Sequence, residues 1–172
     1  MRKRRLLITG AAMAFIVLTV VPAAAGPGGT DRPFKAELTG ELTFDIGTDC
    51  PNPMGVLTKT ESRGTATHLG AMTADWAHCP WDAGFYGSEV DFVAANGDRL
   101  HLVYPANHDG NPFVMFADGG TGRFVDATGV LTGVFWAEPQ LLPGCEPTAE
   151  DPCYNPFVPW PWGASLEGTI SY

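Results

Sequence analysis

Hydrophobic and polar residues alternate along much of this chain with a period of two. Between residues 34 and 46, apolar residues and Gly40 occupy the even positions, whereas charged residues and threonines occupy the odd ones. Residues 164–172 repeat this pattern. Successive side chains of a strand point to opposite faces, so the pattern predicts strands with one buried and one solvated face.

Six further strands are predicted between these two. Residues 57–78 are divided near Gly70, and residues 90–94 and 100–104 flank the Asn96-Gly97 turn. A three-residue loop at that turn would pair Phe92 with Leu100 or Leu102 and keep their apolar side chains on one face. Residues 112–118 and 128–137 complete a count of about eight strands, with a glycine-rich link at 119–124.

Many short strands separated by regular turns are typical of a barrel or a sandwich. The first and last strands are both apolar on one face, which favours closure because a closed barrel leaves no unpaired edge. The predicted fold class is therefore all-β, an antiparallel up-and-down barrel of about eight strands.

Composition agrees with a compact β domain and excludes several classes. The 172 residues are 45% hydrophobic and 17% charged, which argues against disorder. Glycine (21) and proline (15) are frequent but not periodic, which excludes collagen and disfavours a helical bundle. The formal net charge of −9 argues against nucleic acid or an anionic membrane as a partner.

The first 25 residues have the composition of a signal peptide. Four basic residues precede an apolar run from Leu6 to Val21, and Ala23-Ala24-Ala25 offers a cleavage site. The run is shorter than the roughly 20 residues of a spanning helix, so we expect cleavage and not a stable membrane anchor. The expected organisation is a signal peptide at 1–25 and a single secreted barrel domain at 26–172.

Four cysteines follow the signal peptide: Cys50, Cys79, Cys145 and Cys153. In an oxidising compartment two disulfides are expected, and the expected pairing is Cys145–Cys153 with Cys50–Cys79. The first bond would close a short loop, and the second would join two strand ends. The rival interpretation is a zinc site of Cys50, Cys79 and His78, but the spacing does not support it. No metal and no cofactor are predicted.

The interior of the predicted barrel supplies the candidate ligand-binding residues: His68, Met72, Trp76, Phe92, Leu102 and Tyr104. By parity His68 faces this interior, where it would be either an acid or base or a core histidine with one hydrogen bond. The core interpretation is favoured because the inward faces of the first and last strands contain no carboxylate to orient it. No catalytic residue is assigned, and His68 is the one candidate.

A stiff loop is predicted at residues 138–162, where seven prolines fix their own φ angles. Tyr154, Phe157, Trp160 and Trp162 lie in it, and they would either plug one end of the barrel or form an exposed platform for a partner. The plug is favoured because monomeric proteins rarely expose so large an apolar patch. An exterior stripe of Val93, Val103 and Phe135 would allow a homo-oligomer.

Three glycine-containing segments and the last strand carry a resemblance to a known family. The segments are Gly64-Thr65-Ala66-Thr67-His68-Leu69-Gly70, Ala94-Ala95-Asn96-Gly97-Asp98 and Gly120-Thr121-Gly122-Arg123-Phe124-Val125-Asp126-Ala127-Thr128-Gly129. With residues 166–172 they resemble secreted bacterial proteins with an allene-oxide-cyclase-like barrel. The resemblance implies an eight-stranded barrel related to plant allene oxide cyclases and dirigent proteins. It carries over no catalytic residue.

The sequence thus leads to the expectation of a non-catalytic extracellular protein that binds a small apolar ligand inside the barrel. One alternative is an isomerase or cyclase acting on a hydrophobic substrate. The other is a surface or matrix protein that recognises partners through Trp160 and Trp162.

Overall fold

The computed structural model describes residues 29–51, 55–81, 84–85, 88–105, 112–148 and 151–172. The predicted signal peptide lies outside these ranges. The strands, in chain order, are β1 (Asp31–Asp45), β2 (Leu57–Ala66), β3 (Gly70–His78), β4 (Pro80–Trp81), β5 (Gly84–Phe85), β6 (Ser88–Ala94), β7 (Arg99–Tyr104), β8 (Phe113–Gly120), β9 (Thr128–Ala137) and β10 (Trp160–Ser171).

Eight of these strands form a closed antiparallel barrel in the order β1-β10-β9-β8-β7-β6-β3-β2. Each barrel strand pairs with its nearest barrel neighbours along the chain, and β1 closes the ring against β10. The prediction of an all-β, up-and-down barrel is therefore confirmed. The short β4–β5 pair lies outside the barrel sheet and was not predicted, because two residues are too few to show a period.

The core lies inside the barrel and is built from the inward parity of each strand. In β1, Phe34, Ala36 and Leu38 are buried, whereas the residues between them are exposed. Phe92 of β6 pairs with Leu100 of β7, as the three-residue loop predicts, and both side chains are fully buried.

Two glycines allow β1 and β2 to approach each other closely. A Cβ on Gly64 would collide with the carbonyl oxygen of Glu37, and a Cβ on Gly40 would collide with that of Glu61. These neighbours are backbone atoms of the adjacent strand and cannot move aside cheaply. Glycine therefore permits a close approach of two strands that no larger residue would tolerate.

The two ends of the barrel differ in their connections. At one end, which we call the turn end, β2 and β3, β6 and β7, and β8 and β9 are joined by short links. A 3-10 helix at Gly122–Phe124 packs there, and the Phe124 ring lies 4.9 Å from that of Tyr172. At the opposite end, the loop end, the connections are 46–56, 79–87, 105–112 and 138–159.

Both predicted disulfides are present, and both lie at the loop end. Cys50–Cys79 joins the loop after β1 to the loop after β3, and Cys145–Cys153 closes a segment within the last loop. The cysteine pairs exclude the zinc alternative, because a disulfide sulfur is not available as a thiolate ligand. Two disulfides are consistent with an oxidising, extracellular environment.

The last loop is shorter than predicted. Strand β10 already begins at Trp160, so the loop spans 138–159 and not 138–162. The alternation visible from residue 164 extends back through Pro161 to Trp160, where proline hid the strand signal. Among the residues with described positions, no helix is long and apolar enough to cross a membrane.

Candidate functional site

An apolar cavity of about 220 Å³ opens in the core at the loop end. It lies between the last inward side chains of the barrel strands and the loops that follow these strands. Its lining consists of Leu42, Phe44, Thr58, Trp76, His78, Pro80, Tyr104, Phe113, Phe135, Ala137, Trp160 and Trp162. Apolar and aromatic walls with a few polar groups are typical of small-molecule sites.

Aromatic rings from different strands brace the cavity. Trp76 of β3 packs edge-on against Trp162 of β10, with 5.2 Å between ring centroids. The ring centroid of Tyr104 on β7 lies 6.5 Å from that of Trp76 and 6.2 Å from that of Phe113. Tilted and edge-to-face packing of this kind holds rings in fixed positions, so the walls are preformed.

The proline-rich loop packs against Trp160, the first residue of β10, which lines the cavity. The ring centroid of Trp160 lies 4.6 Å from that of Phe44 and 5.4 Å from that of Tyr154. The indole Nε1 of Trp160 donates a hydrogen bond of 2.8 Å to the carbonyl oxygen of Asn155. This arrangement anchors the loop beside the opening.

The four aromatic residues of the predicted loop divide between plug and platform. Trp162 is buried in the barrel wall and Trp160 lines the cavity, as a plug requires. Tyr154 and Phe157 are 47% and 79% exposed, as a platform requires. The two rings that line the cavity thus belong to β10, and the two that remain in the loop at 138–159 are exposed.

The described lining of the cavity carries two titratable side chains, His78 and Tyr104, and both are neutral at pH 7. Burial lowers the pKa of His78 from 6.5 to about 4. Burial also raises the pKa of Tyr104 above its ordinary value of 10. Within the described part of the chain, no carboxylate lines the cavity. An uncharged interior disfavours ionic groups within the cavity itself and favours apolar ones.

The barrel wall beside this cavity is incompletely paired. The β3–β6 ladder ends at Asp75–Asp91, although β3 continues to His78 and β6 begins at Ser88. Ser88 Oγ donates a hydrogen bond of 2.8 Å to the carbonyl of Ala77 across this stretch. An outer cleft of about 860 Å³ lies here, and Trp76 and Tyr104 line both the cleft and the cavity.

Two of the six predicted ligand-binding residues lie in the cavity wall, namely Trp76 and Tyr104. Met72, Phe92 and Leu102 are buried in the core as expected, but they do not line the cavity. They lie closer to the turn end, where side chains fill the barrel.

The placement of His68 inside the barrel is wrong. His68 belongs to the turn between β2 and β3 and has a φ of +70°. Its Nε2 lies 3.0 Å from the carbonyl oxygen of Pro33, to which it donates, and its ring packs against Tyr172. Parity fails because the turn interrupts the alternation, so His68 is a partly exposed structural residue at the turn end.

The predicted exterior stripe also needs correction. Phe135 points inward and lines the cavity, whereas its neighbours Val134 and Trp136 are about half exposed. Strand β9 is apolar on both faces, so alternation alone could not identify its inward side. The stripe that would allow a homo-oligomer therefore loses one of its three members.

Sequence reasoning missed His78, which the zinc alternative had placed beside two cysteines. It is buried in the cavity wall at the last position of β3. The available signal was its parity with Trp76, two residues earlier on the same strand.

Comparison of the chain with protein-family models, with curated proteins and with solved structures gives no match, so the site is described from its own residues.

Proposed function

We propose that this protein is a β-barrel binder of a small apolar molecule, which it holds in the loop-end cavity. The observation that carries the proposal is a preformed cavity of about 220 Å³ walled by aromatic rings. An apolar cavity of about 150 Å³ in another protein core stays dry and takes up benzene. A somewhat larger one fits a ligand of about two fused rings.

The proposal includes an extracellular location. Two disulfides brace the loops around the cavity, which suits a binder that works outside the cell. The resemblance to allene-oxide-cyclase-like barrels remains a prediction, as does the alternative of an isomerase or cyclase. Binding is favoured over catalysis because the lining supplied by the described residues is almost entirely apolar and aromatic, with Thr58, His78 and Tyr104 as its polar side chains.

A cavity-filling substitution tests the proposal. Ala137 lines the cavity, so Ala137→Phe should occupy the space that a ligand needs. Calorimetric titration with naphthylmethanol, a neutral bicyclic probe, should show saturable binding to the parent protein. We expect Ala137→Phe to weaken that binding by at least about tenfold.

The matched control is Ala71→Phe, which adds the same side chain at an exposed position near the turn end. It should leave the affinity unchanged. Circular dichroism verifies that both variants retain the barrel. Equal affinity in the folded Ala137→Phe variant, or the absence of binding to the parent protein, would refute the proposed function.

A further inference from the structure

The inward face of strand β2 is polar, although most of the barrel interior is apolar. Thr58, Thr60 and Ser62 alternate with exposed residues along β2, and each of the three is more than nine-tenths buried. The hydroxyl of Ser62 donates a hydrogen bond to the carbonyl oxygen of Ala74 on β3. Three inward hydroxyls therefore lie on one side of the barrel, and the first of them, that of Thr58, belongs to a residue that lines the cavity.

Thr60 and Trp76 form a cross-strand pair at the inner end of the cavity. They are directly opposite partners in the β2–β3 ladder, one inward position deeper in the barrel than the pair of Thr58 and His78. Side chains at directly opposite positions on one face of a sheet are neighbours. Trp76 lines the cavity, so this pair lies where the cavity meets the filled part of the barrel.

Each residue of this pair carries a buried polar atom without a partner. Trp76 is 8% exposed and Thr60 is 2% exposed. Trp76 Nε1 and Thr60 Oγ1 are shielded from solvent and make no hydrogen bond within the described parts of the chain. Leaving a buried donor unpaired is costly, and native proteins rarely do so. Both side chains face the inside of the barrel, so an acceptor for them has to come from there.

The electrostatics of the cavity favour an uncharged acceptor. Neither lysine nor arginine is among the described residues that line it. Burial lowers the pKa of His78 to about 4, so its imidazole carries no positive charge at pH 7. A carboxylate would be buried there without a cation, which costs far more than burying a neutral oxygen.

A carbonyl oxygen satisfies both unpaired groups at once. It has two lone pairs and carries no proton, so it can accept from the indole N–H of Trp76 and from the hydroxyl of Thr60. An alcohol could accept from the same two groups, but its own O–H would be a third donor that needs an acceptor in an apolar wall. The number of donors and acceptors therefore favours a ketone.

From this pair we infer that the ligand is a neutral apolar ketone. Its ring system occupies the loop-end cavity, and its carbonyl oxygen accepts hydrogen bonds from Trp76 Nε1 and Thr60 Oγ1. The inference rests on the proposed function, because it assigns a polar group to the molecule that the cavity holds. It also gives the cavity a specificity that its apolar walls alone would not provide.

Two probes that differ in one carbonyl group test this inference. 1-Indanone and indane share a fused ring system, and both are titrated calorimetrically into the disulfide-bonded protein at pH 7.5. The measured quantity is the ratio of their association constants, in which the ring system's contribution largely cancels. Trp76→Phe keeps an aromatic ring in the wall and removes the N–H, so we expect it to lower this ratio at least about tenfold. Thr60→Val removes the hydroxyl at nearly constant shape and should lower the ratio as well.

Trp160→Phe is the matched control. It makes the same substitution in the cavity lining, but the N–H of Trp160 already donates to the carbonyl oxygen of Asn155. This variant should change the affinities for both probes by similar factors and leave their ratio unchanged.

The indole N–H signal of Trp76 in a ¹H–¹⁵N correlation spectrum gives a second readout on the unchanged protein. A hydrogen bond to a carbonyl oxygen moves the proton of the N–H to higher chemical shift. 1-Indanone should therefore produce this displacement, whereas indane, which has no acceptor, should not.

The outcomes distinguish the two proposals. If the probes bind but the ratio is the same in the parent protein and in Trp76→Phe, the cavity binds ligands and the ketone assignment is wrong. The same conclusion follows if Trp160→Phe lowers the ratio as much as Trp76→Phe, or if indane displaces the Trp76 signal as far as 1-indanone does. If neither these probes nor naphthylmethanol bind, the proposed function itself fails.

Discussion

His78 occupies a position that opposes its charged form. Its side chain is buried against the cavity, and burial lowers its pKa from 6.5 to about 4. In the unfolded chain the imidazole takes up a proton below pH 6.5, whereas in the folded protein it does so only near pH 4. Folding stability should therefore fall as the pH drops through this window.

We predict that His78→Gln makes the free energy of unfolding less sensitive to pH. Between pH 6.5 and pH 4 the parent protein should lose up to about 3 kcal/mol that the variant retains, because glutamine does not titrate. Urea unfolding of both proteins across this range measures the difference, in which the contributions of shared carboxylates cancel. Parallel pH profiles would show that His78 is not held neutral by burial.

At the scale of the element, β1 and β2 depend on glycines where the two strands approach each other closely. A Cβ at residue 64 would meet the backbone carbonyl of Glu37 on the adjacent strand. We predict that Gly64→Ala lowers the free energy of unfolding by more than about 2 kcal/mol, because one of the two strands must shift.

Gly97→Ala separates the steric collision at residue 64 from the conformational free energy that is lost when alanine replaces a glycine with positive φ. Gly97 has a φ of +88°, and a Cβ there would meet no atom within 4 Å. Its substitution should cost about 1 kcal/mol, the usual price of a left-handed conformation for alanine. Denaturant unfolding of both variants measures the two values. Equal losses would contradict the close approach of β1 and β2.

Alternation predicted the strands well because most barrel strands have one apolar face and one polar face. It located β1, β2, β3 and the hairpin register of Phe92 with Leu100. It failed at His68, where a turn interrupts the period, and at Phe135, where both faces of β9 are apolar. Parity is informative within an uninterrupted amphipathic strand and ambiguous elsewhere.

On the scale of the whole molecule, the barrel is filled at one end and hollow at the other. Phe124 and Tyr172 pack together at the turn end, whereas long, disulfide-braced loops surround the cavity at the loop end. The sequence predicted an apolar interior but not where the interior remains empty. An empty volume depends on how side chains from several strands meet, and one strand's pattern does not contain that information.

The same limit explains the missed features of the cleft. The sequence pattern predicts that Glu61 and Asp75 are ordinary solvated residues of two strands. Only the register of the sheet shows that they lie opposite each other. The early end of the β3–β6 ladder is likewise a property of two strands and not of either sequence segment.

The indole N–H signals of the tryptophans in a ¹H–¹⁵N correlation spectrum test the central claim most directly, because they report on the cavity and on the exterior at once. Trp76, Trp160 and Trp162 line the cavity, whereas Trp136 is half exposed and lies over Gly163 on the outside. Titration with naphthylmethanol should shift the three cavity signals saturably and leave that of Trp136 in place. Unchanged cavity signals, or a shift confined to Trp136, would contradict ligand binding in the barrel.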